Sequence, residues 1–178
     1  MQNTETLWAS AELKKRLNAI TKQAWELIKR RKGTWGAVLC VAVVFPIFFS
    51  IRVNLTPSLP YKVFIVAKLM KPHRDELVAF KVDTRFYPNN HDFVKIMKGV
   101  EGDTVTNNGR DFFVNGIAVG TAKERSSKGV ELAANIPKVI GPGEFYAYAP
   151  HKDSLDSRYA EIGYIKSANI IGRAFALF

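Results

Sequence analysis

The chain has 178 residues, of which 47% are hydrophobic and 24% charged, a composition that excludes a disordered or fibrous protein. Its length fits one modest domain with an appendage and excludes a large multidomain enzyme. The formal net charge of +10 would suit either nucleic acid or an anionic membrane, so the position of the charge has to decide. The single cysteine, Cys40, excludes an intrachain disulfide and a multi-cysteine metal site.

Residues 1–33 are predicted to form a basic amphipathic segment on the cytoplasmic side of a membrane. Apolar residues recur at approximately helical spacing between residues 5 and 31, with lysines and arginines between them. Residues 1–51 carry eight Lys and Arg side chains against three Glu, which is half of the net charge of the chain. Such charge is typical of a membrane surface or a partner helix, so no nucleic acid is expected as a partner.

Residues 34–51 are predicted to be a transmembrane anchor, because these 18 residues contain no charged side chain. A helix of that length spans roughly 27 Å, close to the thickness of the hydrocarbon core. The basic run at 29–32 keeps the N-terminus cytoplasmic by the positive-inside rule and places residues 52–178 across the membrane. The alternatives are a cleaved signal peptide or a buried core helix. The long basic start and the lack of a small-residue cleavage site disfavour a signal peptide.

Beyond the anchor, short runs of β-branched and aromatic residues predict an antiparallel, mainly β domain over residues 52–178. Hairpin signals stand at Asn107-Asn108-Gly109 and at Asn115-Gly116. Residues 121–137 have no clear pattern and are interpreted as an irregular insertion or a small subdomain. The predicted strands are 62–67, 77–82, 93–97, 111–114, 145–148 and 170–176.

Among the enzymatic mechanisms that the polar residues of the chain could support, serine–lysine catalysis is the one that remains to be tested. The three histidines show no metal-ligand spacing, and no GxSxG motif is present, so neither a metal nor another cofactor is predicted. A serine nucleophile can also be activated by a lysine. Lys95 is flanked by Val94 and Ile96 in a predicted strand, where burial would favour the neutral amine.

Three segments, in this order after an anchor, resemble the type I signal peptidase family of serine proteases. They are the Pro-rich stretch 54–60, the lysine strand with its glycine turn at 93–103, and the polar loop 153–159. Together with the anchor and the closing Ile171-Gly172-Arg173-Ala174, the resemblance covers roughly residues 34–178. It is closer to the conjugative-transfer peptidases of plasmids, the TraF type, since Pro60 follows Ser58 after one residue and no Gly-Asp-Asn-Arg stretch precedes the polar loop.

The resemblance implies a role for six residues. Ser58 would be the nucleophile, Lys95 its general base and Thr56 the second oxyanion donor beside the Ser58 backbone N–H. Ser154 would orient the lysine. Asp156 and Arg158 would form an ion pair that braces the site. From the residues alone, other interpretations stay open: a surface lysine on a strand, a turn capped by Thr56, and a solvated polar loop at 153–159.

The implied function is that of a membrane-anchored serine endopeptidase in the inner membrane of a Gram-negative bacterium, with its catalytic domain in the periplasm. Its substrate would be a conjugative pilin precursor or another membrane-bound preprotein, and in the TraF type acyl transfer to an amine would give a cyclic pilin. Two alternatives are a general type I signal peptidase and a non-catalytic pilus-assembly protein. The expected partners are the substrate and the lipid bilayer.

Overall fold

The computed structural model describes residues 3–54, 56 and 58–177, although the side chains of residues 3–12, 28 and 90 are not included. By its internal contacts the chain divides into two units, Met1–Pro46 and Ile47–Phe178. The first unit is helical: α1 (Asn3–Arg30) is followed directly by α2 (Lys32–Phe48), whose last two residues belong to the second unit. The helix expected in the basic N-terminal segment is therefore present, and its lysines and arginines are exposed where they are described.

The predicted anchor corresponds to α2 only in part. The helix ends at Phe48, so the last three residues of the predicted span, 49–51, lie in a strand instead. Within the described residues, no single helix combines the length and apolar character needed to cross a bilayer. The pair Leu13–Leu27 and Lys32–Phe48, bent by 85°, meets that requirement when taken together.

The second unit is built on a seven-stranded antiparallel sheet with the order β1-β2-β10-β3-β4-β8-β9. Its strands are β1 (Phe49–Val53), β2 (Val63–Ala67), β3 (Leu77–Thr84), β4 (Tyr87–Gly99), β8 (Glu144–Tyr148), β9 (Ile165–Lys166) and β10 (Ile170–Ala176). A short 3₁₀ helix, Ser167–Asn169, leads into β10. The prediction of a mainly antiparallel β domain is confirmed.

A second, three-stranded sheet contains β5 (Val105–Asn108), β6 (Asp111–Val114) and β7 (Ile117–Thr121) in that order. The two turns between these strands are at the predicted hairpin signals, where Gly109, Asn115 and Gly116 adopt positive φ angles. Of the stretch 121–137, which has no clear pattern in the sequence, Thr121 ends β7, while residues 122–137 contain no regular element and are tied down by isolated bridges.

Two clusters of buried side chains pack the segments that lie next to the site residues in the sequence. Leu59 packs with Phe64, Val66 and Ala149 in a cluster under β2, β3 and β10. This contact anchors the loop after β1 to the sheet. A separate cluster of nine buried residues joins the small sheet to Tyr146 in the middle of β8 and to Tyr159.

Two glycines of the large sheet lie against tightly packed neighbours, side chains at one and backbone at the other. A side chain at Gly99, the last residue of β4, would come within 2.5 Å of Ile140 Cδ1. One at Gly172 in β10 would come within 2.2 Å of the Ala67 carbonyl oxygen. Both positions therefore require glycine, and the packing at Gly99 fixes the end of the strand that carries Lys95.

Candidate active site

Ser58 lies in the loop that connects β1 to β2 and is 6% exposed. Its neighbour Leu59 is buried in the sheet's core, so the serine is held at the surface of that core rather than in a free loop. Leu55 and Pro57 of this segment lie outside the described residues.

A short chain of hydrogen bonds runs from Ser58 toward the edge strand. The Ser58 and Thr56 hydroxyl oxygens are 3.1 Å apart, and the Thr56 hydroxyl donates to Asn54 Oδ1 at 3.0 Å. Because a hydroxyl has a single proton, Ser58 must be the donor in its contact with Thr56. The Thr56 proton thus points to Asn54, and the oxyanion role predicted for Thr56 would require that proton to turn away.

Asn54 is a residue of this loop that the sequence reasoning missed. Its Oδ1 also accepts the Thr56 backbone N–H at 3.1 Å, and its Nδ2 donates to the Tyr61 carbonyl at 3.1 Å. Its backbone N–H donates to the Lys62 carbonyl at 2.7 Å. The side chain therefore closes the nucleophile loop at both ends. The spacing Asn54–Thr56 is that of an Asx turn, and this signal was readable in the sequence.

Lys95 lies in the part of β4 that pairs with β3, and only 4% of the residue's surface is exposed. The Nζ donates to Ser154 Oγ at 2.7 Å and lies 5.4 Å from the centre of the Phe93 ring. Phe93, two residues earlier on the same face of the strand, is a second contact that the sequence reasoning missed. The alternative interpretation of Lys95 as a surface lysine is thereby excluded.

Burial lowers the pKa of Lys95 to about 8, since desolvation penalises the ammonium. The Asp156 carboxylate opposes this shift, whereas the Arg158 guanidinium lowers the pKa further. At neutral pH a minority of the chains therefore carry a neutral amine, which is the form that can accept a proton.

Asp156 and Arg158 form a buried ion pair in the loop after β8, with exposures of 0% and 2%. Arg158 Nε donates to Asp156 Oδ1 at 2.8 Å and Nη2 donates to Oδ2 at 2.9 Å. Asp156 also accepts the backbone N–H groups of Ala149 and Arg158. Arg158 Nη2 reaches the Ser154 carbonyl at 3.4 Å. The pair therefore fixes the loop that presents Ser154, which is the bracing geometry expected from the sequence.

Ser157 is a further buried residue of this loop that was not singled out from the sequence. Its hydroxyl accepts the Ala147 backbone N–H at 3.0 Å, and its carbonyl accepts from Asn135 Nδ2 at 2.9 Å. No sequence pattern distinguishes a serine whose hydroxyl is buried and hydrogen-bonded from one that is exposed to solvent. The structural role of Ser157 is therefore visible only in the folded chain.

One cavity of about 540 Å³ contains Thr56, Ser58, Lys95 and Ser154 on its wall. Asp156 and Arg158 lie behind that wall. The structure thus brings together residues 98 positions apart in the chain. Among the hydrogen bonds of the described residues, none joins Ser58 Oγ to Lys95 Nζ; the Ser58 hydroxyl is bonded to Thr56 and the Lys95 ammonium to Ser154.

An ion pair crosses the cavity wall between two distant strands. Arg52 Nε of β1 and Asp92 Oδ2 of β4 are 2.6 Å apart. The N–H does not point at the carboxylate, so the contact is an ion pair rather than a hydrogen bond. It joins the edge strand β1 to β4, although three strands lie between them in the sheet, and Ser58 and Lys95 lie on the wall of the same cavity.

Lys98 and Asp103, which follow Lys95 at the end of β4 and in the glycine turn, have structural roles. Lys98 lies outside the cavity and pairs with Asp75 at 2.5 Å. Asp103 accepts two hydrogen bonds from Arg74, and these contacts lower its pKa to about 2. Within the described residues, no group of three or more His, Cys, Asp or Glu side chains is arranged to hold a metal ion.

Comparison with known proteins places the chain in a family. A search of curated protein sequences finds no match. A crystal structure of a signal peptidase I from Enterococcus faecalis V583 is similar to the chain, with 22% sequence identity and a TM-score of 0.37 over 61% of this chain and 97% of that one. The family described as "Signal peptidase, peptidase S26" matches residues 25–178, most of the sequence. The chain therefore belongs to the S26 family of signal peptidases, which are serine peptidases.

Proposed function

We propose that the chain is a serine endopeptidase in which Ser58 is the nucleophile and Lys95 its general base. The observation that supports this most directly is the state of Lys95, which is buried and bonded to Ser154, with its pKa lowered to about 8 on the wall of the cavity that Ser58 also lines. A lysine in such surroundings loses its proton near neutral pH, which an exposed lysine does not.

The proposed reaction has two steps. In the first, Ser58 Oγ attacks a peptide carbonyl while its proton passes to the neutral Lys95 amine, and that proton then leaves with the released amine. The product is an ester between Ser58 and the acyl part of the substrate. In the second step a water or an amine attacks the ester, and Ser58 regains a proton. For the first step the Ser58 hydroxyl has to turn from Thr56 toward Lys95, a rotation about one side-chain bond.

The substrate is proposed to lie as an extended strand beside β4. Strand β8 pairs with β4 only from Ile96 onward, so residues 91–94 are paired on one side by β3 alone. An open edge of this kind accepts an added strand through backbone hydrogen bonds. A peptide bound there would pass Lys95 and place a carbonyl near Ser58.

The proposed biological substrate is a membrane-bound preprotein, with a conjugative pilin precursor as the specific case. This part of the proposal rests on the resemblance to the TraF type, including the short spacing from Ser58 to Pro60. The apolar α2 and the basic α1 support anchoring in the inner membrane with a periplasmic catalytic unit. Transfer of the acyl group to the pilin's own N-terminal amine would give a cyclic subunit.

The intact mass of the pilin subunit tests this proposal. It is measured in cells that contain the chain, its Ser58→Ala variant or its Lys95→Met variant. We expect a subunit lighter by one water than the trimmed linear peptide with the unaltered chain, and only the precursor with either variant.

The other outcomes separate the alternatives. A trimmed linear subunit that depends on Ser58 would retain the endopeptidase and remove the cyclase. An unchanged pilin, combined with Ser58-dependent cleavage of secreted preproteins, would indicate the general signal peptidase of the family. Processing that survives both variants would contradict the dyad and favour a non-catalytic assembly protein.

A further inference from the structure

A second cavity, of about 210 Å³, opens beside the catalytic one and is not used by the proposed dyad. The two cavities have Tyr87, Ser127, Asp153, Ser154 and Leu155 in common on their walls. Because they share these residues, the two cavities adjoin each other, and we call the second one the side cavity. A side chain of a peptide in the catalytic cavity would have this neighbouring cavity beside it.

The charge of the side cavity is strongly asymmetric. Its wall contains three cationic side chains, Lys123, Arg125 and Lys128, and one anionic one, Asp153. Lys128 has no ion pair among the described residues. Arg125 pairs with Glu131, which does not line the cavity, and both of these side chains are largely exposed, at 63% and 80%. Pairs with this exposure contribute little to stability, so Arg125 can exchange Glu131 for another carboxylate at little cost.

Lys123 is held in place from the side of the core. Its backbone N–H donates to the Tyr159 hydroxyl at 3.0 Å, and its carbonyl accepts from Arg110 Nη2 at 2.5 Å. Its ammonium pairs with Asp153 at the junction of the two cavities. A fixed backbone with a partly exposed ammonium is suited to receiving a second anionic group.

The loop that carries the other two cations is also ordered by local bonds. The Ser126 hydroxyl accepts the backbone N–H groups of Lys128 and Val130, at 3.3 and 3.2 Å. An isolated bridge between Arg125 and Glu131 closes the base of the loop. This is the stretch that the sequence left without a pattern, and the fold turns it into one wall of a cavity.

The size of the side cavity limits what it can hold. Pockets for drug-sized ligands have volumes of about 300–1,000 Å³, so 210 Å³ suits one side chain or a chain end rather than a separate ligand. Phe86, Leu132 and Tyr159 on its wall would pack against the carbon atoms of such a group.

We propose that the side cavity is a substrate subsite that selects a peptide carboxylate, either an acidic side chain near the cleaved bond or the free C-terminus of a short segment. This inference rests on the proposed peptidase function, because it assumes that a peptide occupies the adjoining cavity. Lys123 and Lys128 would bind the carboxylate, and Arg125 would add a third donor.

Binding to the full-length Ser58→Ala chain in detergent micelles tests the subsite without requiring chemistry. The probes are fluorescent ten-residue peptides with an alanine-rich centre, in which a single Asp or a single Asn is placed at each position in turn. Each is made with a free and with an amidated C-terminus. We expect Asp to bind more tightly than Asn at one or two adjacent positions, by about twofold to fivefold for each cation engaged.

Second variants assign the effect to the cavity. In the Ser58→Ala background, Lys123→Gln and Lys128→Gln should each reduce the preference for Asp. Lys81→Gln, which alters an exposed lysine on β3 that lines neither cavity, should leave it unchanged. Tighter binding of the peptides with a free C-terminus than of their amidated forms, with Asp and Asn bound equally, would identify the chain end as the source of the carboxylate.

Three results would overturn the subsite. The first is equal binding of the Asp and Asn peptides at every position, together with equal binding of the free and the amidated forms. The second is a preference for a carboxylate that persists in both lysine variants, and the third is no binding of any probe. Failure of the proposed function is distinguishable from these, because it appears as processing that does not depend on Ser58. That readout is independent of peptide binding by the Ser58→Ala chain.

Discussion

The two sides of the catalytic cavity are held in different ways. Lys95 lies inside the large sheet, and its partner Ser154 belongs to a loop fixed by the buried pair of Asp156 and Arg158. Ser58 follows the edge strand β1, in a loop closed by one asparagine side chain and anchored through Leu59.

This difference separates two demands of serine–lysine chemistry. The pKa of a lysine can be lowered only where water is excluded, and that requires a rigid and densely packed surrounding. The nucleophile has to turn from its resting partner toward the base and the substrate carbonyl, and a loop on an edge strand allows that movement. We therefore expect substitutions on the base side to change stability strongly, and those on the nucleophile side to change mainly activity.

Lys95→Met should have the largest effect on activity, a loss of at least about 10⁴-fold in kcat, because it removes the proposed acceptor of the Ser58 proton. The same substitution should raise the free energy of unfolding at pH 7 by up to about 3 kcal/mol, since the folded chain no longer buries an ammonium. Lys98→Met, on the same strand but outside the cavity, is the matched control and should change each value little.

The pH dependence of that stability gain gives a further check. The pKa of Lys95 is about 8 in the folded chain, below its usual value of 10.5. Between these two values the unfolded chain binds the proton and the folded chain does not, so the stability of the unaltered chain rises with pH. The advantage of Lys95→Met in urea unfolding should therefore be full below pH 8 and shrink toward pH 10.5. A constant difference would contradict the lowered pKa.

Asp156→Asn should destabilise the fold by about 3–5 kcal/mol, because it leaves the Arg158 guanidinium buried without its counter-charge. Asp92→Asn breaks the more exposed pair with Arg52 and should cost no more than about 1 kcal/mol. Both are measured as shifts in urea unfolding of the full chain in detergent. Equal effects of the two substitutions would contradict the view that the base side alone is rigidly braced.

Asn54→Ala should reduce activity more than it reduces stability. We expect kcat/KM to fall by about tenfold to hundredfold, because Thr56 and Ser58 lose their alignment, while stability falls by about 1 kcal/mol. Asn54→Asp keeps an oxygen that can accept from Thr56 and should retain more activity than the alanine variant. A larger loss of stability than of activity would show that the loop is part of the rigid core.

The smallest expected effect is on the pH profile. The value of kcat/KM should rise with pH through an apparent pKa of about 8 as Lys95 loses its proton. Ser154→Ala removes an acceptor that favours the ammonium form, so the rise should occur at lower pH, by less than about one unit. A shift to higher pH would mean that Ser154 does not stabilise the charged lysine.

Local sequence patterns predicted much of the β domain. The strands containing Lys95, Phe112 and Ala174 and the turns at Gly109 and Asn115 follow from β-propensity and turn chemistry, which depend on neighbouring residues. Other elements did not follow. The end of the apolar stretch, 49–51, is as hydrophobic as the helix before it, and only pairing with β2 makes it a strand.

The candidate site was predictable to the extent that it resembles a known family. Ser58, Lys95 and the polar loop were identified by their motifs, and their catalytic roles remain predictions. Asn54 and Phe93 were missed, although Asn54 carries an Asx-turn signal. The side cavity had no signal at all, because Lys123 and Lys128 belong to the unpatterned stretch 121–137, whereas Asp153 belongs to a separate polar loop.

By itself, the sequence determined the class of chemistry and the kind of domain, because side-chain type and local periodicity are properties of short segments. The tertiary structure decided that Lys95 is buried, that Ser154 contacts it, that Thr56 turns its proton to Asn54, and that a basic cavity adjoins the site. Burial and long-range contacts such as the one between β1 and β4 arise only in the folded chain, and a pKa depends on everything that packs around the group.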